Sequence, residues 1–260
     1  MEDLIELAWK ATVASGVLML VVASGQRAGP LLASIAMTYP FNSGVGFSLM
    51  MWQRSDAFMA EAGVAAFALT GGVFAFMTGY VLAASLGGFL RPWLTGIGAW
   101  ALVAAVSLAF EMTWPLAFAL AATGVAAAAL LVRKRTAPPV PAGRGVGTWR
   151  ATIARAVLGG VIIGAVATFS KLLGPVVSGM LLAFPTMMSA SLWILHRRFG
   201  EAFAVETIHR SRWGLASYSS FVFSVGLLSL PIGGIAAVAT GAAVAVLVSL
   251  AVYRIGRPRG

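Results

Sequence analysis

The chain reads as long apolar runs cut by short polar breaks, with almost no alternation of apolar and polar residues at period two. Runs of about 18 residues or more can cross the ~30 Å hydrocarbon core as helices, whereas membrane barrels need alternating segments. The pattern predicts nine helices, at 5–25, 30–52, 58–85, 92–110, 114–132, 152–170, 174–196, 212–230 and 232–253. The clearest linker is 133–150, where Arg133-Lys134-Arg135 is followed by Pro138, Pro139, Pro141, Gly143, Gly145 and Gly147.

Two stretches of the pattern repeat. Gly29-Pro30 with Pro40 recurs 145 residues on as Gly174-Pro175 with Pro185, and Lys10 is echoed by Arg155. At that offset the first and second helices match the sixth and seventh. The third matches the eighth through Gly63 and Gly214 with a few residues' slip, and the fourth matches the ninth more loosely. The fifth is left as a connector. Five helices separate the matched starts, an odd number, so the two halves must be oppositely oriented. Duplicated, proline-broken apolar segments of this kind are a mark of secondary transporters. The expected architecture is an all-α membrane protein of two inverted-topology repeats of four helices plus one. Residues 1–112 form the first repeat, 113–135 a connecting transmembrane helix, 136–149 a cytoplasmic Pro/Gly/Arg linker and 150–255 the second repeat.

Composition agrees with membrane insertion. The chain is 60% hydrophobic and 10% charged, with a mean hydropathy of +0.92, against roughly a quarter charged in soluble domains. The net charge of +10 gathers at the ends of apolar runs. With nine crossings, every Lys and Arg except Lys10, Arg54 and Lys171 falls on one face, which the positive-inside rule makes cytoplasmic. That places the N-terminus outside and the C-terminus in the cytoplasm. It also reads the charge as orientation and lipid contact, not as nucleic-acid binding. Cysteine is absent, which excludes disulfides, thiolate metal sites and cysteine nucleophiles. The acidic start (Glu2, Asp3, Glu6) reads against a cleavable signal peptide. No phosphate loop, dinucleotide fingerprint or Gly-x-Ser-x-Gly elbow occurs, so nothing points to a cofactor, to nucleotide-driven pumping or to an enzyme.

The candidate functional residues sit at the breaks. Pro40 and Pro185 should kink or break their helices near the midplane, since proline removes a backbone donor and clashes with the preceding turn. They are followed by Asn42 and Ser43 in one half and by Thr186 and Ser189 in the other. Such side chains either bind a polar substrate beside half-helix N-termini or simply satisfy a packed kink. Lys10 and Arg155 are either mirrored gates that attract anions or long side chains that snorkel to the interface. Lys171 runs against the charge rule and would guard the mouth of the second broken helix. Glu61 is the acid expected to enter an apolar run, as a proton-coupling group or as an interfacial one. His196 and His209 with Glu201 and Glu206 read as a solvated cytoplasmic face rather than a metal site. Gly160-x-x-x-Gly164 lets helices approach closely, within the chain or in a homodimer.

Ser170-Lys171, Gly179 and Phe184-Pro185-Thr186 resemble the GlpM-like family of small bacterial inner-membrane proteins, over roughly residues 150–254. The first half is a looser fit, with Gln26-Arg27 in place of the Ser-Lys pair. The resemblance implies a four-helix module whose oppositely oriented copies have fused, in a bacterial inner membrane, and it supplies no substrate. The resulting expectation is a secondary transporter or lipid-carrier flippase handling a small anionic or zwitterionic solute or lipid carrier. The alternative is a non-transporting scaffold subunit of an envelope-polymer or secretion complex.

Overall fold

The computed structural model describes residues 2–27, 40–132 and 149–256, and every regular element among them is helical. In chain order these are α1 (Glu2–Arg27), α2 (Phe41–Met50), α3 (Asp56–Ala83), α4 (Leu90–Ala109), α5 (Trp114–Leu131), α6 (Trp149–Leu182), α7 (Thr186–Phe199), α8 (Glu201–Ser211), α9 (Leu215–Ile232) and α10 (Gly234–Gly256). Among the described residues, six helical stretches are long and apolar enough to cross a membrane: Asp56–Leu86, Leu90–Ala109, Trp114–Leu131, Thr152–Arg197, Glu201–Ile232 and Gly234–Val252. This is the build of a multi-pass membrane protein. Gly29, Pro30 and most of the 133–150 linker lie outside the described residues.

The breaks follow from local chemistry. α6 runs through the expected boundary at 170–174 as one element, interrupted only at Gly174 (φ 74°, ψ 171°) before Pro175. A residue before proline is driven out of the helical region, and glycine alone takes a positive φ without a Cβ penalty. Proline then suits the first position of the resumed helix. α6 ends at Leu182 and α7 starts beyond Pro185, so the second half carries two breaks eleven residues apart. One element was not expected. The segment after α7, read from sequence as a charged loop, folds as α8, in which Ala204, Val205 and Ile208 are buried. Their i, i+1, i+4 spacing makes one apolar stripe, enough to hold a short amphipathic helix against the bundle.

α3 is the centre. Its apolar window is 94% buried against 22% for α5, and it packs on α4, α5, α6 and α9. Small residues set these approaches. A Cβ on Gly63 would strike the backbone of Gly226, one on Gly71 the backbone of Leu120, and one on Gly179 the carbonyl of Ala62. Close backbone contact replaces the hydrophobic drive that is missing between helices in lipid. α1 lies along α6 in the same way, Gly164 against Ala11 and Gly160 against Ser15. Position rises on one helix as it falls on the other, so the pair is antiparallel. α3 and α9 are antiparallel too, with Gly63 beside Gly226 and Thr70 Oγ1 accepting from Ser219 Oγ.

Candidate functional site

α2 and α7 both begin on a buried proline, and the two starts touch. The N-cap residues Pro40 (φ −75°, ψ 52°) and Pro185 (φ −77°, ψ 54°) share one backbone conformation, and neither start has a side-chain cap. Each proline carbonyl accepts the first helical bond, from Gly44 N (2.6 Å) and Ser189 N (2.9 Å). Across the crossing, Asn42 Nδ2 donates to Thr186 Oγ1 at 2.5 Å, and Ser43 Oγ donates to the carbonyl of Leu182 at 2.8 Å. The second bond satisfies an acceptor that the break before Pro185 leaves without a helical donor. Two atoms remain over. Asn42 Oδ1 and Ser189 Oγ are buried with no hydrogen-bond partner among the described residues. Two uncapped N-termini with their positive dipole ends, plus an unused amide oxygen and hydroxyl, make a polar spot inside an apolar bundle. Sequence reasoning grouped Pro40, Asn42, Ser43, Pro185, Thr186 and Ser189 with Lys10, Arg155 and Lys171 as one site; the first six lie at the N-caps and in the first turns of α2 and α7.

Lys10 does not join that crossing. Lys10 on α1 is fully buried; its Nζ sits 2.5 Å from Glu6 Oε1, donates to Gln53 Oε1 at 2.6 Å and reaches the carbonyl of Ala167 at 3.1 Å. Gln53 Nε2 donates back to Glu6 Oε1 at 2.9 Å. Arg54 extends the cluster, donating from Nε to Ser170 Oγ at 2.8 Å, while Ser170 Oγ donates to Ala167 O at 3.0 Å. The cluster ties α1, the α2–α3 turn and α6 together, and the Lys10 charge is matched within it by Glu6. Lys10 therefore does not snorkel. Glu6, Gln53, Arg54 and Ser170 were missed as partners; the one available signal was the i, i+4 spacing of Glu6 and Lys10.

Glu61 is exposed on α3, since Ala60 and Ala62 take the inward directions at that turn; exposure fits the interfacial one of its two readings. Lys171 is exposed beside the buried Ser170, three residues before the break at Gly174. The backbone of Arg155 belongs to α6, and its side chain lies outside the described residues. His196 Nδ1 is 3.0 Å from Tyr80 Oη and meets Phe89 edge-on, and His209 is buried in α8. Among the described residues no three His, Asp or Glu side chains are grouped to hold a metal.

The chain matches no family model, no curated protein and no solved structure. The likeness to GlpM-like proteins is carried by the short motifs alone.

Beside the crossing an open groove of about 560 Å³ runs between α1, α2 and α10. One stripe of α1 (Trp9, Val13, Val17) faces the stripe of α2 that begins at Phe41, and Val238 and Ala242 of α10 close the third side. Its polar lining is sparse: Ser48, and Gln53 at the end nearest Lys10.

Proposed function

We propose that the chain is a secondary transporter or lipid flippase of the bacterial inner membrane, with nine crossings arranged as two inverted four-helix repeats around a connecting helix, α5. Substrate is handled where α2 and α7 cross. The observation that carries this reading is the pair of proline-started helices meeting tip to tip. Such broken elements at the junction of two halves are where transporters place a polar site, because the freed backbone groups must face protein or a cavity.

Register supports the repeat. α2 and α7 begin at Phe41 and Thr186, α3 and α8 at Asp56 and Glu201, and the positive-φ glycines before α4 and α10 are Gly88 and Gly233, each pair 145 residues apart. α8 with α9 is then the counterpart of α3 alone. Ser15 and Gly160 are also 145 apart and pack on each other. A residue facing its own counterpart on an antiparallel helix is what a two-fold axis in the membrane plane demands. Ser15 with Gly160 and Asn42 with Thr186 would then mark the midplane, with alternating access arising from one half rocking on the other. The dipoles at the crossing favour an anionic or zwitterionic headgroup or solute.

The test uses the absence of native cysteine. Single cysteines at positions 42, 43, 186 and 189 are probed in oriented vesicles with a membrane-impermeant maleimide. Labelling of these positions from at least one side supports a substrate site. A crossing sealed from both sides, in folded protein, is the result expected of a scaffold subunit and would end the transport reading.

A further inference from the structure

We infer that the groove between α1, α2 and α10 receives the hydrocarbon chain of a membrane lipid entering sideways, so that the substrate of the crossing is an amphiphile and not a water-soluble solute. The inference rests on the transport reading above and names its substrate class.

The groove is continuous with the outer surface of the bundle. Trp9 and Val13 are each 46% exposed, and Val17 36%. On a membrane-spanning bundle that surface meets lipid, and an open apolar groove there is filled by hydrocarbon because water has almost nothing to bond within it. The two ends of the groove differ. One carries Trp9 and Trp52, of the residue type that settles at the headgroup level, beside the polar Gln53. The other ends at Phe41 and Gly44, in the same helical turn as Asn42 and Ser43. Phe41 to Trp52 spans about 16 Å at the helical rise, close to one leaflet of a ~30 Å core. A chain lying along α2 in this conformation therefore brings its far end to the crossing, and its headgroup, held near Gln53, has still to move one leaflet inward to meet the dipoles there. The volume falls within the ~300–1,000 Å³ of small-molecule sites.

The experiment reads occupancy, not transport. Full-length protein is placed in nanodiscs of phosphatidylcholine doped with phosphatidylglycerol bearing a diazirine near the end of one acyl chain, and adducts are mapped after photolysis. The expected adducts concentrate on Val17, Phe41 and Val45, with unlabelled phosphatidylglycerol competing and glycerol 3-phosphate not. A Cβ on Gly44 meets nothing within 4 Å, so Gly44→Trp directs its ring into the groove and should cut these adducts about tenfold, the loss that ~1.4 kcal/mol of binding gives. Adducts spread evenly over all lipid-facing helices, or unchanged in Gly44→Trp, would overturn the inference. So would displacement by glycerol 3-phosphate in the unaltered protein, a comparison that stands even if the tryptophan variant does not fold. A protein that takes lipid here while its crossing stays sealed loses the transport reading alone. An accessible crossing without groove adducts loses the lipid inference alone.

Discussion

Lys10 Nζ lies 2.5 Å from Glu6 Oε1, one turn earlier on α1, and the lysine has no exposed surface while Glu6 keeps 31% of its side chain open. Removing one partner leaves a buried ammonium short of its counter-charge. Glu6→Gln should destabilise by about 1–3 kcal/mol, less than the ~3–5 of a wholly buried pair because Glu6 is partly solvated. Lys10→Met removes the charge with its desolvation cost and should be the milder change. Thermal unfolding in detergent, followed by tryptophan fluorescence, ranks the two variants. Equal loss would show that the cluster does not hold a buried charge.

Asn42 and Thr186 bridge α2 and α7 through a single side-chain bond. A double-mutant cycle of Asn42→Ala and Thr186→Ala should give a coupling of about 0.6 kcal/mol, and no more than ~1.7, the range for polar contacts between membrane helices. Chemical unfolding in mixed micelles measures it. Strictly additive losses would mean that the halves are not linked at this point.

Much of this arrangement was legible in the chain. Pro40 and Pro185 announced the helix starts at Phe41 and Thr186, because proline lacks the donor that a continuing helix needs, and small polar residues after them meet at the crossing. Gly174-Pro175 announced an interruption but not its form, since α6 resumes for less than three turns before the second break. α8 was hidden by its charges. Glu201, Glu206 and Arg210 read as a loop, and the buried stripe of Ala204, Val205 and Ile208 is too short to stand out. The depth of a single ionisable group was the least legible. Lys10 is buried and Glu61 exposed although both sit between apolar neighbours, because a helix turns 100° per residue and run hydropathy carries no direction.

Gly160 packs on the backbone of Ser15 with no room for a side chain. Gly160→Leu should separate α1 from α6 and cost more than about 2 kcal/mol, as overpacking of a close contact does. Gly16, the neighbour of Ser15 on α1, has open space where a methyl group would sit, with nothing within 4 Å, so Gly16→Ala should be nearly neutral. Size-exclusion profile and melting temperature compare them; a tolerated Gly160→Leu would contradict the close antiparallel contact.

Replacing Pro40 and Pro185 together by alanine restores two backbone donors and removes the shared cap conformation. The doubly substituted protein should fold, yet translocate a short-chain fluorescent phosphatidylglycerol in proteoliposomes about tenfold more slowly, a ~1.4 kcal/mol rise in barrier. Dithionite quenching of the outer leaflet follows the rate. Unaltered translocation by well-folded protein would remove the broken helices from the mechanism.

The opposed orientation of the two halves underlies everything proposed for the crossing, and the location of the chain ends tests it most directly. Alkaline phosphatase and green fluorescent protein fused in turn to each terminus report which side of the inner membrane it occupies. The account predicts phosphatase activity only at the N-terminus and fluorescence only at the C-terminus. Both ends on the same side would require an even number of crossings and would contradict the inverted repeat.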